Sequence, residues 1–163
     1  NYLLQLGHRK IAGIFKADDL QGVERQRGYL KALKEYDIKP NDELIGNYTT
    51  ENLNYYPYQF TRYLINTVKP TAIVCYNDQA AMRVIDAIKD SGLKIPDDIS
   101  VIGYDDSSFA TASEVKLTTI SHPKKKMGKQ VANFMLDMLD ANNYKPQYVY
   151  EPELIVRTSC KNI

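Results

Sequence analysis

Four apolar runs in this sequence each end in groups that can hold hydroxyls. Asp18 and Asp19 follow Ile11 to Phe15, Tyr48 closes Leu44 to Tyr48, Asn77 and Asp78 follow Ala72 to Cys75, and Asp105 and Asp106 follow Ile99 to Gly103. Arg25 stands shortly after the first set. Carboxylates accept from hydroxyls, an amide accepts and donates, a guanidinium donates through a planar fork, and an aromatic ring covers the C–H face of a sugar. Together they suit a polyhydroxylated ligand. Each also has a plainer use. Asn77, Asp78 and Asp106 sit where helix caps sit, Arg25 where a solvated helix residue would, and Tyr48 where a strand-end aromatic joins a core. Their convergence, rather than any one of them, points to a site.

Catalysis is less well supported, and no catalytic residue, metal or cofactor is expected. The two histidines are His8, in a turn, and His122, before Pro123, with no histidine or cysteine at ligand spacing. No Gly-rich phosphate loop occurs. Asp105 and Asp106 are adjacent, and neighbours in sequence diverge too far to flank one glycosidic bond. Lys124, Lys125 and Lys126 read as a solvated helix start. One switch chemistry stays open. A Mg²⁺-dependent phosphoacceptor module carries an acidic pair, a later Asp and a Lys in the order of Asp18, Asp19, Asp78 and Lys124. Against it, the chain is long for that module, and Asn77 lies nearer the strand end than Asp78.

The elements that position these groups follow from periodicity. Ala72 to Cys75 and Ile99 to Gly103 are short, Val- and Ile-rich runs, as expected of strands buried on both faces. Between them Ala80, Ala81, Val84, Ile85, Ala87 and Ile88 recur at helical spacing, with Asn77 or Asp78 as cap and Gly92 and Pro96 as stop. Strand, helix and strand make a right-handed crossover with parallel strands, whose carboxyl edge is where open α/β sheets bind ligands. Ile11 to Phe15 and Leu44 to Tyr48 add two strands. A helix from Gly22 carries Val23, Tyr29, Leu30, Leu33 and Tyr36, and a second carries Phe60, Leu64, Ile65 and Val68. Ser107 to Ser113 reads as helix or loop, and Leu117 to Ile120 as a strand. Pro123 opens a helix with Met127, Val131, Phe134, Met135, Met138 and Leu139 on one face, ending at Asn142 and Asn143. Tyr148 to Tyr150 and Leu154 to Val156 read as strands broken by Pro152. The expected fold is α/β, a doubly wound, mostly parallel sheet with helices on both faces.

Length and composition agree with one soluble domain. The chain has 163 residues, 44% hydrophobic and 25% charged, with 21 Lys and Arg against 20 Asp and Glu. A formal charge of +1 provides no field for nucleic acid or an anionic membrane, so DNA binding by this chain alone is disfavoured. No apolar run is long enough to span a bilayer, and NYLLQLGHRK lacks the features of a secretory signal. Cys75 and Cys160 form no framework, which suits a reducing compartment. A cytoplasmic protein is expected. Leu3, Leu4 and Leu6 before Gly7 read as the tail of a helix begun upstream, hence a fragment of a longer protein.

LGHRKIAGIF, R-x-x-G-Y from Arg25 to Tyr29, PTAIVCYNDQAA, IPDDISVIGYDD, LTTISHPKKKMG and EPELIVRTS resemble, in order and spacing, the sugar-sensing domain of the lactose and galactose repressor family. DDLQGVERQRGY, CYNDQAA, SEVKLTTISHPK and EPELIVRTS are most similar to its arabinose-responsive branch in Gram-positive bacteria, whose DNA-binding head is a winged helix of another family. The resemblance implies the periplasmic-binding-protein-like fold, a two-lobed sensor that closes on a sugar, with L-arabinose as the expected effector. It implies that residues 1–163 form the carboxyl-side part of that domain, with 1–119 as main lobe and 120–163 as crossover helix and terminal strands. Arg25, Asn77 and Asp105 match sugar-bonding positions, Tyr48 a packing aromatic, and His122 a polar group at the hinge crossing. Asp18, Asp19 and Gln21 lie on the neighbouring loop. It further implies a homodimer through Met82, Phe109 and Val115, and operator DNA bound through a head that this sequence does not include. A periplasmic-type sugar-binding protein shares the fold and is the alternative.

Overall fold

The computed structural model describes residues 1–140 and 147–163. Helix α1 (Tyr2–Gln5) leads into β1 (Ile11–Lys16), α2 (Leu20–Glu35), β2 (Ile45–Tyr48), α3 (Tyr56–Asn66), β3 (Ala72–Cys75), α4 (Asp78–Asp90) and β4 (Ser100–Ile102). The short α5 (Phe109–Ala112), β5 (Thr119–Ser121), α6 (Lys124–Asp140) and β6 (Glu153–Ile155) follow. The first four strands form one parallel sheet in the order β2-β1-β3-β4, as expected of a doubly wound fold.

Alternation along β1 builds a core on each face. Ile11 and Phe15 pack with Leu3, Leu4, Tyr29 and Leu33 under α1 and α2. Ala12 and Ile14 point the other way, joining Leu64, Ile73, Val84, Ile85 and Ile88 under α3 and α4. Burying each such aliphatic side chain stabilises the fold by roughly 1.5–3 kcal/mol. Caps fix where the helices begin. Asp19 accepts from the Gly22 amide at 2.6 Å, and Asn77 from the Ala80 amide at 2.9 Å. Gly22 allows α2 to start this close to β1, since a Cβ there would lie 1.8 Å from the Lys16 carbonyl oxygen.

The strands end almost level. Lys16 pairs with Tyr48, Ile14 with Cys75 and Val74 with Ile102, so the chain leaves all four strands on one side. Beyond β4 the expectations shift. Leu117 is buried core and Thr118 bridges to Ile102, so the anticipated strand begins only at Thr119 and pairs antiparallel with β6. Tyr148 to Tyr150 is not a strand. Its rings pack on each other at 4.6 Å, and the Tyr150 hydroxyl donates to the Lys126 carbonyl at 3.4 Å. Asn142 and Asn143, the expected helix end, lie outside the described residues.

The last residues return to the main sheet. Val101 N–H donates to the Ser159 carbonyl, Ser159 Oγ to the Val101 carbonyl, and Ile163 N–H to the Leu6 carbonyl. His8 is buried between Thr71 Oγ1 at 2.9 Å and the Lys161 carbonyl at 3.1 Å. The apolar stripe of α6 lies open, with Val131, Met135, Met138 and Leu139 exposed. Among the described residues no helix is long and apolar enough to cross a membrane.

Candidate functional site

The carboxyl edge of the sheet is centred on Arg25. From the second turn of α2 its guanidinium reaches Asp105 Oδ1 at 3.2 Å and donates to the Tyr76 carbonyl. It lies between two rings, 3.7 Å from the Tyr104 centroid and 4.6 Å from that of Tyr76. A cation held face-on by aromatics and tied to a carboxylate loses most of its freedom while keeping other N–H groups for a ligand. His122 completes the cluster. Its ring packs on Tyr104 at 5.1 Å, and its Nε2 lies 3.7 Å from Asp105 Oδ1. Gln21, Glu24 and Lys124 join Arg25, Tyr104, Asp105 and His122 around a groove of about 580 Å³.

The backbone at Asp105 is left-handed, as it is at Asp106, with φ of +98° and +43°. Such a conformation costs a non-glycine residue roughly 1–2 kcal/mol, so contacts must hold it. Asp105 N–H donates to the Ile120 carbonyl, the Lys124 ammonium donates to the Asp105 carbonyl, and Arg157 binds the Asp106 carboxylate at 2.6 Å.

A second cluster joins the loops after β1, β2 and β3. The Tyr76 hydroxyl donates to Asp19 Oδ2 at 2.7 Å, Lys16 pairs with the same oxygen at 3.1 Å, and Thr50 N–H donates to Asp18 at 2.8 Å. Burial pushes the Asp19 carboxyl up, but the bonds from Tyr76, Gly22 and Lys16 outweigh it and leave its pKa below the usual value. The Thr50 bond and Lys16 also lower Asp18. Burial, with Asp19 beside it, raises the Tyr76 phenol to about 12. This cluster is already paired within the fold.

The expected site residues thus separate. Arg25, Asp105, His122 and Gln21 meet around one groove. Asp18 and Asp19 stand beside it, bonded to Lys16, Thr50 and Tyr76. Asn77 spends its side-chain oxygen on capping α4. Tyr48 is 1% exposed, packed edge-on against Tyr76 at 6.1 Å, so Tyr76 and Tyr104 are the rings that reach the edge. The sequence places those two tyrosines at the ends of their apolar runs, but neither they nor Lys124 are among the expected ligand contacts. Tyr76 follows β3 directly and Tyr104 stands two residues beyond β4, which is a usable signal, whereas nothing local marks Lys124 as folding back on Asp105. Met82 is half-buried on α4, Phe109 exposed on α5 and Val115 half-buried just beyond it.

Asp78 is a buried brace. Its Oδ2 accepts from the Ser107 amide at 2.7 Å and hydroxyl at 3.0 Å, and its Oδ1 from Thr119 Oγ1 at 2.6 Å. Burial raises its pKa despite those bonds. The phosphoacceptor arrangement therefore does not form, since Asp78 is 1% exposed and apart from the Asp18 and Asp19 cluster. Among the described residues no group of three His, Cys, Asp or Glu side chains could hold a metal ion.

The family model of the periplasmic binding protein-like domain matches residues 1–160. The chain belongs to that family. Periplasmic binding protein-like relatives include the arabinose metabolism transcriptional repressor of Geobacillus stearothermophilus, 45% identical over all of this chain and 46% of that protein. A sugar-binding transcriptional regulator of the LacI family from Escherichia coli, solved with phosphate, superimposes with a TM-score of 0.89 at 27% identity, over 99% of this chain and 58% of that one. A lac repressor dimer bound to operator and an anti-inducer superimposes at 0.86 and 27% identity, over 98% and 55%. This periplasmic binding protein-like chain spans about half the length of the curated relatives it matches.

Proposed function

We propose that this chain is the carboxyl-side part of the effector domain of a transcriptional repressor, and that its effector is a sugar, L-arabinose. The observation that carries the reading is the Arg25–Asp105 pair, packed between Tyr76 and Tyr104 at the carboxyl edge of a parallel sheet. It offers a charged donor fork, a charged acceptor and ring faces within one groove, which is what a neutral polyol requires. The arabinose repressor at 45% identity supports the choice of sugar. On this reading the protein is not an enzyme and works in the cytoplasm.

Residues 1–119 form the main lobe and 120–163 the crossover helix, β6 and the terminal segment. The exposed apolar stripe of α6 supports a second lobe packing there. Sugar binding favours the closed arrangement of the lobes, and closure lowers the operator affinity of a homodimer joined near Met82, Phe109 and Val115. The operator is bound by a head outside this sequence.

Isothermal titration of the full-length protein with L-arabinose, against D-galactose and D-ribose, tests the reading. Selective arabinose binding supports it. Binding of none of the three, with operator affinity unmoved by each, overturns it.

A further inference from the structure

Arg157 touches no part of the groove, yet it organises the loop that presents Asp105. Its Nη2 binds Asp106 Oδ1 at 2.6 Å, while its Nη1 donates to the Leu117 carbonyl at 2.8 Å and its backbone N–H to Thr118 Oγ1 at 3.0 Å. One side chain therefore joins the loop after β4, the segment leading into β5, and the chain leaving β6. The joint lies where the backbone needs support, because Asp105 and Asp106 are consecutive left-handed non-glycine residues. Asp106 is the only one of the two bound to Arg157; Asp105 turns the other way, toward Arg25 and His122. Charge-assisted contacts of this length fix direction as well as distance.

We infer that Arg157 is a positioning residue for effector recognition: by holding Asp106 it fixes the left-handed turn that aims the Asp105 carboxylate at Arg25 and the groove. This deepens the proposed function and rests on it, and it makes the recognition of the effector depend on the chain that returns from β6. Loss of the Arg157 clamp lets the turn relax, and Asp105 leaves Arg25.

The test uses the full-length protein with Arg157→Met, Arg157→Lys and Asp106→Asn. Calorimetry with L-arabinose is expected to show a 10- to 50-fold weaker Kd for Arg157→Met and for Asp106→Asn. The double variant should be no weaker than the worse single one, and Arg157→Lys should recover part of the loss. Sugar-free operator affinity should stay within twofold. Crystal structures of Arg157→Met and Asp106→Asn provide a readout that needs no sugar, with the Asp105–Arg25 contact expected to be lost. Unchanged Kd with a lowered Tm, or an Asp105–Arg25 contact retained in the variant structures, overturns the inference. If the wild-type protein binds no sugar, the effector reading fails, and the crystal structures alone decide the role of Arg157.

Discussion

The Asp78 carboxylate accepts a hydrogen bond from Thr119 across 41 residues of sequence, at 2.6 Å and out of solvent. This contact and the two from Ser107 tie the start of α4 to the segment that carries the chain away from the main sheet. Asp78→Ala takes this acceptor from the half-buried Ser107 amide and hydroxyl and from the buried Thr119 hydroxyl. It is expected to lower the unfolding free energy by roughly 1–3 kcal/mol, with Asp78→Asn losing less. Urea denaturation followed by circular dichroism measures both.

Gly103 allows that brace to close. A Cβ there would lie 2.2 Å from Asp78 Oδ1 and 2.6 Å from a Leu117 methyl. Gly103→Ala is expected to cost about 1–3 kcal/mol by overpacking, less in an Asp78→Ala background, where one clash is absent. The double-mutant cycle in urea reads the coupling.

Arg25→Ala and Asp105→Ala remove charged partners from the groove. Each is expected to weaken arabinose binding by the full-length protein roughly 10- to 100-fold, since hydrogen bonds to charged groups contribute roughly 1.5–3 kcal/mol. Calorimetry checks the loss, and an unchanged Kd for both removes the pair from the site.

His8 makes stability depend on pH. Burial lowers its pKa below the ordinary 6.5, although the Lys161 carbonyl works in the opposite direction. The unfolded chain then takes up a proton more readily than the folded one. The contribution of neutral His8 is fully present above pH 6.5 and is lost as pH falls from there through its folded value. Between pH 7 and 5 the urea midpoint of the wild type should fall more steeply than that of His8→Gln.

Binding by this chain without the rest of the protein should be weak. Its groove is open on one side and it carries a net charge of only +1, so L-arabinose affinity well below that of the full-length protein and no duplex binding at physiological salt are expected. Titration and a gel-shift assay with operator DNA measure the two.

Much of this was legible from local pattern. Strand β3 runs from Ala72 to Cys75 as its apolar run predicts, and α4 follows the spacing of Ala80, Val84 and Ile88, because burial on both faces leaves a strong signature. Asp105 stands just past a strand and Arg25 early in a helix, and the topology that brings the two to one edge can be read from that placement alone. The remainder depended on distant partners. Tyr48 has the sequence position of a site aromatic, but Tyr76 packs over it. Three-residue strands such as β5 and β6 take their shape from each other and from contacts such as Thr119 with Asp78 and Ile120 with Asp105, so neither announces its ends. Lys124 and Arg157 act through long side chains that reach across 19 and 51 residues, and no local spacing encodes that reach.

The stacking of Arg25 between Tyr76 and Tyr104 bears on the entropy of recognition. A free arginine gives up about 2 kcal/mol of rotamer entropy when it is immobilised. Here that loss is met when the domain folds, before any ligand arrives. A polyol entering the groove orders itself against a fork already in place, so the protein's share of the ordering cost is small and more of each hydrogen bond remains as affinity.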